Sequence, residues 1–178
     1  LQRDGDGKIA QIVDPVGVVR SVTRDALGQA TVYRSPSGEE FKVVYEAEGR
    51  PASTTDPAGG TRSTQYDADG KVAAMTDELG RTSRFAYDAG GNLVSATDVK
   101  GASYSFEYDP LKQMKALTMP EGGKFQLAYD AAGNVVKAVD PAGNAQTFEY
   151  NSAGQLIREV DPLGAAFTFQ YDPGGNLV

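Results

Sequence analysis

Seven of the chain's nine tyrosines stand 21 residues apart, at Tyr45, Tyr66, Tyr87, Tyr108, Tyr129, Tyr150 and Tyr171. A strict period of that length means that each unit meets chiefly its neighbours, so the chain reads as a repeat array and not as one globular core. Five of the seven are followed directly by Asp, and all but Tyr108 reach a Gly four positions on, as in Tyr129-Asp130-Ala131-Ala132-Gly133-Asn134-Val135. The beat continues backwards to Arg24 and Arg3, where Arg takes the Tyr position. Unit starts near 3, 24, 45, 66, 87, 108, 129, 150 and 171 then span residues 1–178 without an insertion. Both ends fall inside a repeat, and the expectation is a fragment of a longer array.

Within a unit, the residues before each Tyr alternate, as in Phe125-Gln126-Leu127-Ala128-Tyr129 and Tyr104-Ser105-Phe106-Glu107-Tyr108. Period 2 with aromatic and aliphatic residues predicts a strand with one apolar face. A second strand-like run follows the Gly, as in Asn92-Leu93-Val94-Ser95-Ala96-Thr97. Two turn signals separate the runs: Asp-x-x-Gly after the Tyr, and Asp-Pro-x-Gly as at Asp56 to Gly59. Asp can bond the backbone two residues on, Pro presets φ, and Gly takes the left-handed conformation. The second-turn Gly recurs at Gly17, Gly38, Gly59, Gly80, Gly101, Gly122, Gly143 and Gly164. The unit is a β-hairpin.

An odd period poses a problem of parity, because one residue too many would swap the faces of the sheet. A four-residue first loop and a three-residue second loop, the latter a type I turn closed by a Gly bulge, would restore it. That register gathers Phe125, Leu127, Tyr129, Val136 and Ala138 on one face, and Phe85, Tyr87, Ala73 and Met75 on the same face one unit pair earlier. Lys124, Gln126, Lys137, Thr82 and Arg84 fall on the other. Departures from the pattern are expected to disturb the sheet locally. Pro51 removes a ladder donor, Lys112 stands where Gly belongs, and Met119-Pro120-Glu121-Gly122 replaces Asp-Pro-x-Gly.

The fold class is therefore all-β: tandem 21-residue antiparallel hairpins forming a long curved sheet. On the order of 16 strands at about 4.8 Å each span roughly 77 Å. Closed on itself, such a sheet would leave a lumen of roughly 15 Å, too narrow for a 100-residue domain with a radius of gyration of about 13 Å. The segment is thus expected to be an arc of a larger wall.

Composition removes most chemistries. The chain has no His and no Cys, so Ser-His-Asp, Cys-His and HExxH sites, thiolate metal sites and disulfides are excluded. A net charge of −7 with scattered Lys and Arg argues against nucleic acid as a partner. No run of 18 apolar residues suggests a helical membrane span. Asp4-Gly5-Asp6-Gly7 and Asp67-Ala68-Asp69-Gly70 begin like a calcium loop but lack the third oxygen ligand and the closing Glu, and they read as turns. Asp56 and Asp77 suggest an acid–base pair only until the same Asp is found in other units. Gly90-Gly91-Asn92 precedes no helix and is no phosphate loop. The sequence thus offers no catalytic, cofactor-binding or metal residue, and the expectation is a protein that is not an enzyme. The Tyr and Phe ladder reads first as a core face and second as a stacking platform for a ligand.

The unit Tyr-Asp-x-x-Gly-Asn-Leu-x-x-x-x-Asp-Pro-x-Gly, assembled from the repeats at Tyr87, Tyr129 and Tyr150, resembles the YD repeats of the Rhs family. It is similar also to those of insecticidal toxin complexes, wall-associated proteins and teneurins. The resemblance implies a strip of hairpins wound into a hollow cocoon that encloses a C-terminal toxin polypeptide. It further implies a secreted or cell-surface address, delivery by type VI secretion and a role in bacterial competition. The implied partners are the enclosed polypeptide and the remaining shell repeats. Nothing here matches the autoproteolytic core or the toxin of that family. An alternative is a surface adhesion module whose aromatics, such as Phe85 and Tyr87, bind glycans. Unpaired edge strands would also allow self-association.

Overall fold

Alternating runs such as Phe125 to Tyr129 form strands because an extended chain sends successive side chains to opposite faces of a sheet. A computed structural model of the chain describes residues 1–13, 15 and 19–178. Among these residues the regular structure is entirely β, built of strands that pair antiparallel with their neighbours in sequence within each unit. The chain divides into two units, Leu1–Arg84 and Phe85–Val178.

The first unit holds β1 (Gln2–Arg3), β2 (Ile9–Val13), β3 (Val19–Arg24), β4 (Ala30–Arg34), β5 (Glu40–Tyr45), β6 (Pro51–Thr55), β7 (Thr61–Tyr66) and β8 (Val72–Thr76). The division falls inside β9 (Thr82–Tyr87). The second unit continues with β10 (Leu93–Thr97), β11 (Ser103–Tyr108), β12 (Met114–Thr118), β13 (Lys124–Tyr129), β14 (Val135–Val139), β15 (Ala145–Tyr150), β16 (Leu156–Val160) and β17 (Ala166–Thr168).

Both kinds of turn have one geometry, which corrects the expected four-residue first loop. After Tyr129, the Asp130 amide donates to Asn134 O at 2.9 Å and the Gly133 amide to Asp130 O at 3.1 Å. The second turn repeats this pattern from Asp140 to Asn144, at 3.0 Å for both bonds. Each is a type I turn of three loop residues closed by a left-handed residue, with Gly133 at φ 89° and Gly143 at φ 87°. Parity is restored elsewhere. Ala128 pairs with Lys137 but Tyr129 with Val135, so Val136 is an extra, bulged residue. The same shift occurs opposite Arg24, Tyr45, Tyr66, Tyr108 and Tyr150.

The departures noted in the sequence leave this frame intact. Pro51 opens β6 opposite Tyr45, a strand-initial position where a missing donor is tolerated. The turn from Met119 keeps both of its bonds. So does the turn from Asp109, in which Lys112 adopts φ 65°, the one positive φ of a non-glycine among the described residues. Strain is confined to one dihedral, and the β11–β12 register matches that of its neighbours.

Register pairs Leu127 with Ala138 and Phe125 with Leu117, as expected for an apolar face. The deepest side chains, however, are small. Ala74 lies on the polar face between Gln65 and Arg84, and Ala116 between Glu107 and Gln126, at 7% and 3% exposure. Long polar stems on neighbouring strands cover them. On the apolar face Val43, at 8%, is the one buried side chain among the described residues, while Tyr33, Phe41, Met75, Phe125 and Phe167 remain exposed. Among the described residues, no element of either unit packs over that aromatic face.

Candidate functional site

The repeating tyrosines end the first strand of each hairpin, where the chain enters its turn. Tyr45, Tyr66, Tyr129 and Tyr171 donate their hydroxyls to the carbonyls of Ala30, Pro51, Met114 and Leu156, at 2.8 to 3.0 Å. In each case the acceptor lies 15 residues back, on the first residue of the strand in the preceding hairpin. The bond closes the mouth of a strand pair at the end opposite its Asp-Pro-x-Gly turn. Arg24 does the same work without an aromatic ring: one guanidinium nitrogen reaches Ile9 O at 3.4 Å and the other Gly28 O at 3.2 Å. Tyr87, Tyr108 and Tyr150 end β9, β11 and β15 at the equivalent place.

A second tie runs along the same edge, from the residue that closes one turn to the glycine of the next. Lys8 Nζ donates to Gly28 O at 3.2 Å, and Gln113 and Gln155 donate through Nε2 to Gly133 O and Gly175 O, each at 3.4 Å. Sequence reading missed these residues because the position is filled by Lys, Gln, Arg or Asn with no fixed identity. The opposite edge differs. A Cβ placed on Gly38, Gly59, Gly80, Gly101, Gly122, Gly143 or Gly164 would meet nothing within 4 Å, and these glycines serve the left-handed turn alone. Gly17 lies outside the described residues.

The carboxylates suggested by the sequence are occupied by backbone. Asp56 Oδ1 accepts from the Ala58 and Gly60 amides, both at 2.9 Å, and Asp77 Oδ1 from Leu79 and Arg81, both at 3.0 Å. Asp67 Oδ1 likewise accepts from Asp69 and Lys71, and Asp4 Oδ1 from Asp6 and Lys8. Where Asn closes the turn, its Nδ2 adds a bond to the second oxygen, as from Asn134 to Asp130 at 2.9 Å. That side-chain bond, helped by the backbone amides, holds the Asp88, Asp130, Asp140 and Asp172 carboxyls below the ordinary aspartate value. Arg81 does the same for Asp77. Groups stabilised in the ionised form are poorly suited to donate a proton.

The surface with binding character is the apolar face. In the first unit Ile12, Val22, Tyr33, Pro36, Phe41 and Pro57 line an open groove of about 600 Å³, with Arg20 and Glu39 at its margin. Tyr33 and Phe41 are cross-strand partners with ring centroids 6.3 Å apart and planes tilted by 56°, within the range of favourable aromatic pairs. In the second unit a smaller groove of about 240 Å³ runs beside Phe125, Leu127, Ala138 and Pro162. Phe85 and Tyr87 lie on β9, both half-buried.

Comparison with known proteins places this geometry. The teneurin YD-shell family model matches residues 25–178. The crystal structure of TcdB2-TccC3 without its hypervariable C-terminal region superposes with a TM-score of 0.71 at 17% identity, over 99% of this chain and 11% of that one. The crystal structure of TcdB2-TccC3 gives 0.70 at 18% identity, over 99% and 11%. That of TcdB2-TccC3-Cdc42 gives 0.70 at 17% identity, over 97% and 11%. The chain thus spans about a ninth of the solved chains it matches. No match was found among curated proteins.

Proposed function

Since this chain belongs to the teneurin YD-shell family, within the Rhs/YD-repeat proteins, we propose that it is a wall segment whose work is containment of a polypeptide. The guest would be a toxin or another chain segment lying C-terminal to the repeats, and the remaining repeats of the wall would be the other partner. The observation that carries this reading is the exposed apolar face. Tyr33, Phe41, Met75, Phe125 and Phe167 are 39% to 53% exposed, while turn carboxylates and amides are mutually satisfied. A wall with such a face suits an extended or partly unfolded guest, whose own apolar side chains would otherwise face water. The fold likeness supports the same reading: the TM-score is 0.71 to TcdB2-TccC3 without its hypervariable C-terminal region and 0.70 to TcdB2-TccC3-Cdc42. A secreted or cell-surface address, and delivery to a competing bacterium, belong to the same proposal.

Limited proteolysis of the full-length gene product tests it. Containment requires that the segment after the repeats resist digestion while the array is intact and be cut once the array is unfolded. A segment digested as fast as the isolated polypeptide would end this reading.

The exposed Tyr33–Phe41 pair favours a second reading, in which the aromatic face binds glycans at a cell surface. A glycan array decides between them: reproducible binding lost on Tyr33→Ala, and on the Phe85→Ala/Tyr87→Ala pair, selects adhesion.

A further inference from the structure

Every strand pair joined by an Asp-Pro-x-Gly type of turn has a free mouth at its other end, and the ties across these mouths are unequal. At β12–β13 the mouth is closed twice, by Tyr129 to Met114 O and by Gln113 to Gly133 O. At β16–β17 it is closed twice again, by Tyr171 and Gln155. At β14–β15 Asn134 holds the place of Gln113. One methylene shorter, it turns back on Asp130 at 2.9 Å. A Cβ on Gly154 would accordingly meet nothing within 4 Å, whereas one on Gly133 would lie 3.0 Å from Gln113. Among the described residues, no hydrogen bond of the Tyr150 hydroxyl accompanies it.

The β10–β11 mouth shows what happens when the same Asn is compensated. Asn92 turns back on Asp88 at 2.9 Å, and here the next turn carries Lys112 in place of Gly. Its Nζ reaches backwards to Gly90 O at 2.9 Å. The strained residue is the tie, running in the reverse direction. No such residue stands at Gly154.

We infer that the mouth of β14–β15, between Asn134 and Gly154, is a seam at which the second unit opens first. The ladders themselves are equal in length: Lys137–Val139 on Thr147–Ala145, and Ala116–Thr118 on Gln126–Lys124. What differs is the clasp at the end away from the turn. The seam opens towards the first-turn edge and pivots on the turn at Asp140 to Asn144.

Native-state hydrogen exchange on the full chain tests this. Amides of the β14–β15 ladder should exchange about 2- to 10-fold faster, after correction for intrinsic rates, than those of β12–β13. Asn134→Gln should install the missing tie and slow β14–β15 by a similar factor while leaving β12–β13 unchanged. Gln113→Asn should transfer the fast exchange to β12–β13. Equal protection of the two ladders in the parent chain, or an Asn134→Gln variant whose β14–β15 exchange is unaltered, overturns the inference.

Discussion

The hydroxyl of Tyr129 donates to the carbonyl of Met114 at 2.8 Å, joining one hairpin to the hairpin before it. The acceptor belongs to the strand-initial residue next to the bulge, where the ladder shifts register between Glu107 and Tyr108. Tyr serves at this position through its reach and its hydroxyl together, and Arg24 shows that a guanidinium can replace both.

Tyr129→Phe should cost about 1 kcal/mol, the net worth of one hydrogen bond whose acceptor is left part-buried. Tyr150→Phe should cost close to nothing, because its ring is retained and no such bond is lost. Urea unfolding of the two variants measures the difference, and equal losses would show that the ring alone matters.

The aspartate turns predict a sensitivity to acid. Asp88, Asp130, Asp140 and Asp172 have carboxyls held below the ordinary aspartate value in the folded chain, chiefly by the Asn that closes each turn. A depressed folded value means that the unfolded chain binds protons first. The stabilisation is present above the unfolded value and is lost as pH falls through 3.8 and below. The urea midpoint should be flat from neutrality to about pH 5 and decline beneath pH 4. Replacing all four Asp by Asn should make that decline shallower, with Asp77, Glu40 and Glu107, held low by their cationic partners, supplying the rest.

The side-chain oxygen matters more than its charge. Asn151 occupies an Asp position and its Oδ1 still accepts from the Ala153 and Gln155 amides, both at 3.0 Å. Asp130→Asn should therefore lower the melting temperature less than Asp130→Ala, which strands the Ala132 and Asn134 amides. Equal losses for the two neutral variants would locate the effect in the charge and not in the oxygen.

Two glycines of equal backbone conformation should respond differently to a methyl group. Gly133 and Gly164 have φ of 89° and 87°, so either change to Ala carries left-handed strain of roughly 1–2 kcal/mol. At Gly164 nothing else is touched, but at Gly133 the new Cβ would fall 3.0 Å from Gln113 Nε2 and displace the tie. Thermal denaturation should rank Gly133→Ala as the more harmful.

The period, the hairpins, both turn sites and the apolar face were legible from residue type alone, since each rests on local chemistry: alternation, Asp, Pro and Gly. The bulge was not. Parity demanded one extra residue per unit, and nothing in Val135-Val136-Lys137 distinguishes a bulged Val from a paired one, so the residue was assigned to the loop. Lys112 signalled trouble in the sequence, but its purpose depends on Asn92, twenty residues earlier in the neighbouring hairpin. The clasps at Gln113 and Gln155 were illegible for a similar reason. Asn and Gln share polarity, and only the distance to the next turn makes a single methylene decide which way the amide points.

The bulge opposite Tyr45, Tyr66, Tyr108, Tyr129 and Tyr150 works like a leap day. Twenty residues would carry a strand, a turn, a strand and a turn back to the same face, and the twenty-first is set aside where it disturbs neither turn. Copying or losing a whole repeat leaves every aromatic on its proper side, so such an array can lengthen or shorten by recombination without relearning its pattern. A slip of one residue within a strand would turn every downstream side chain over unless a second bulge absorbed it.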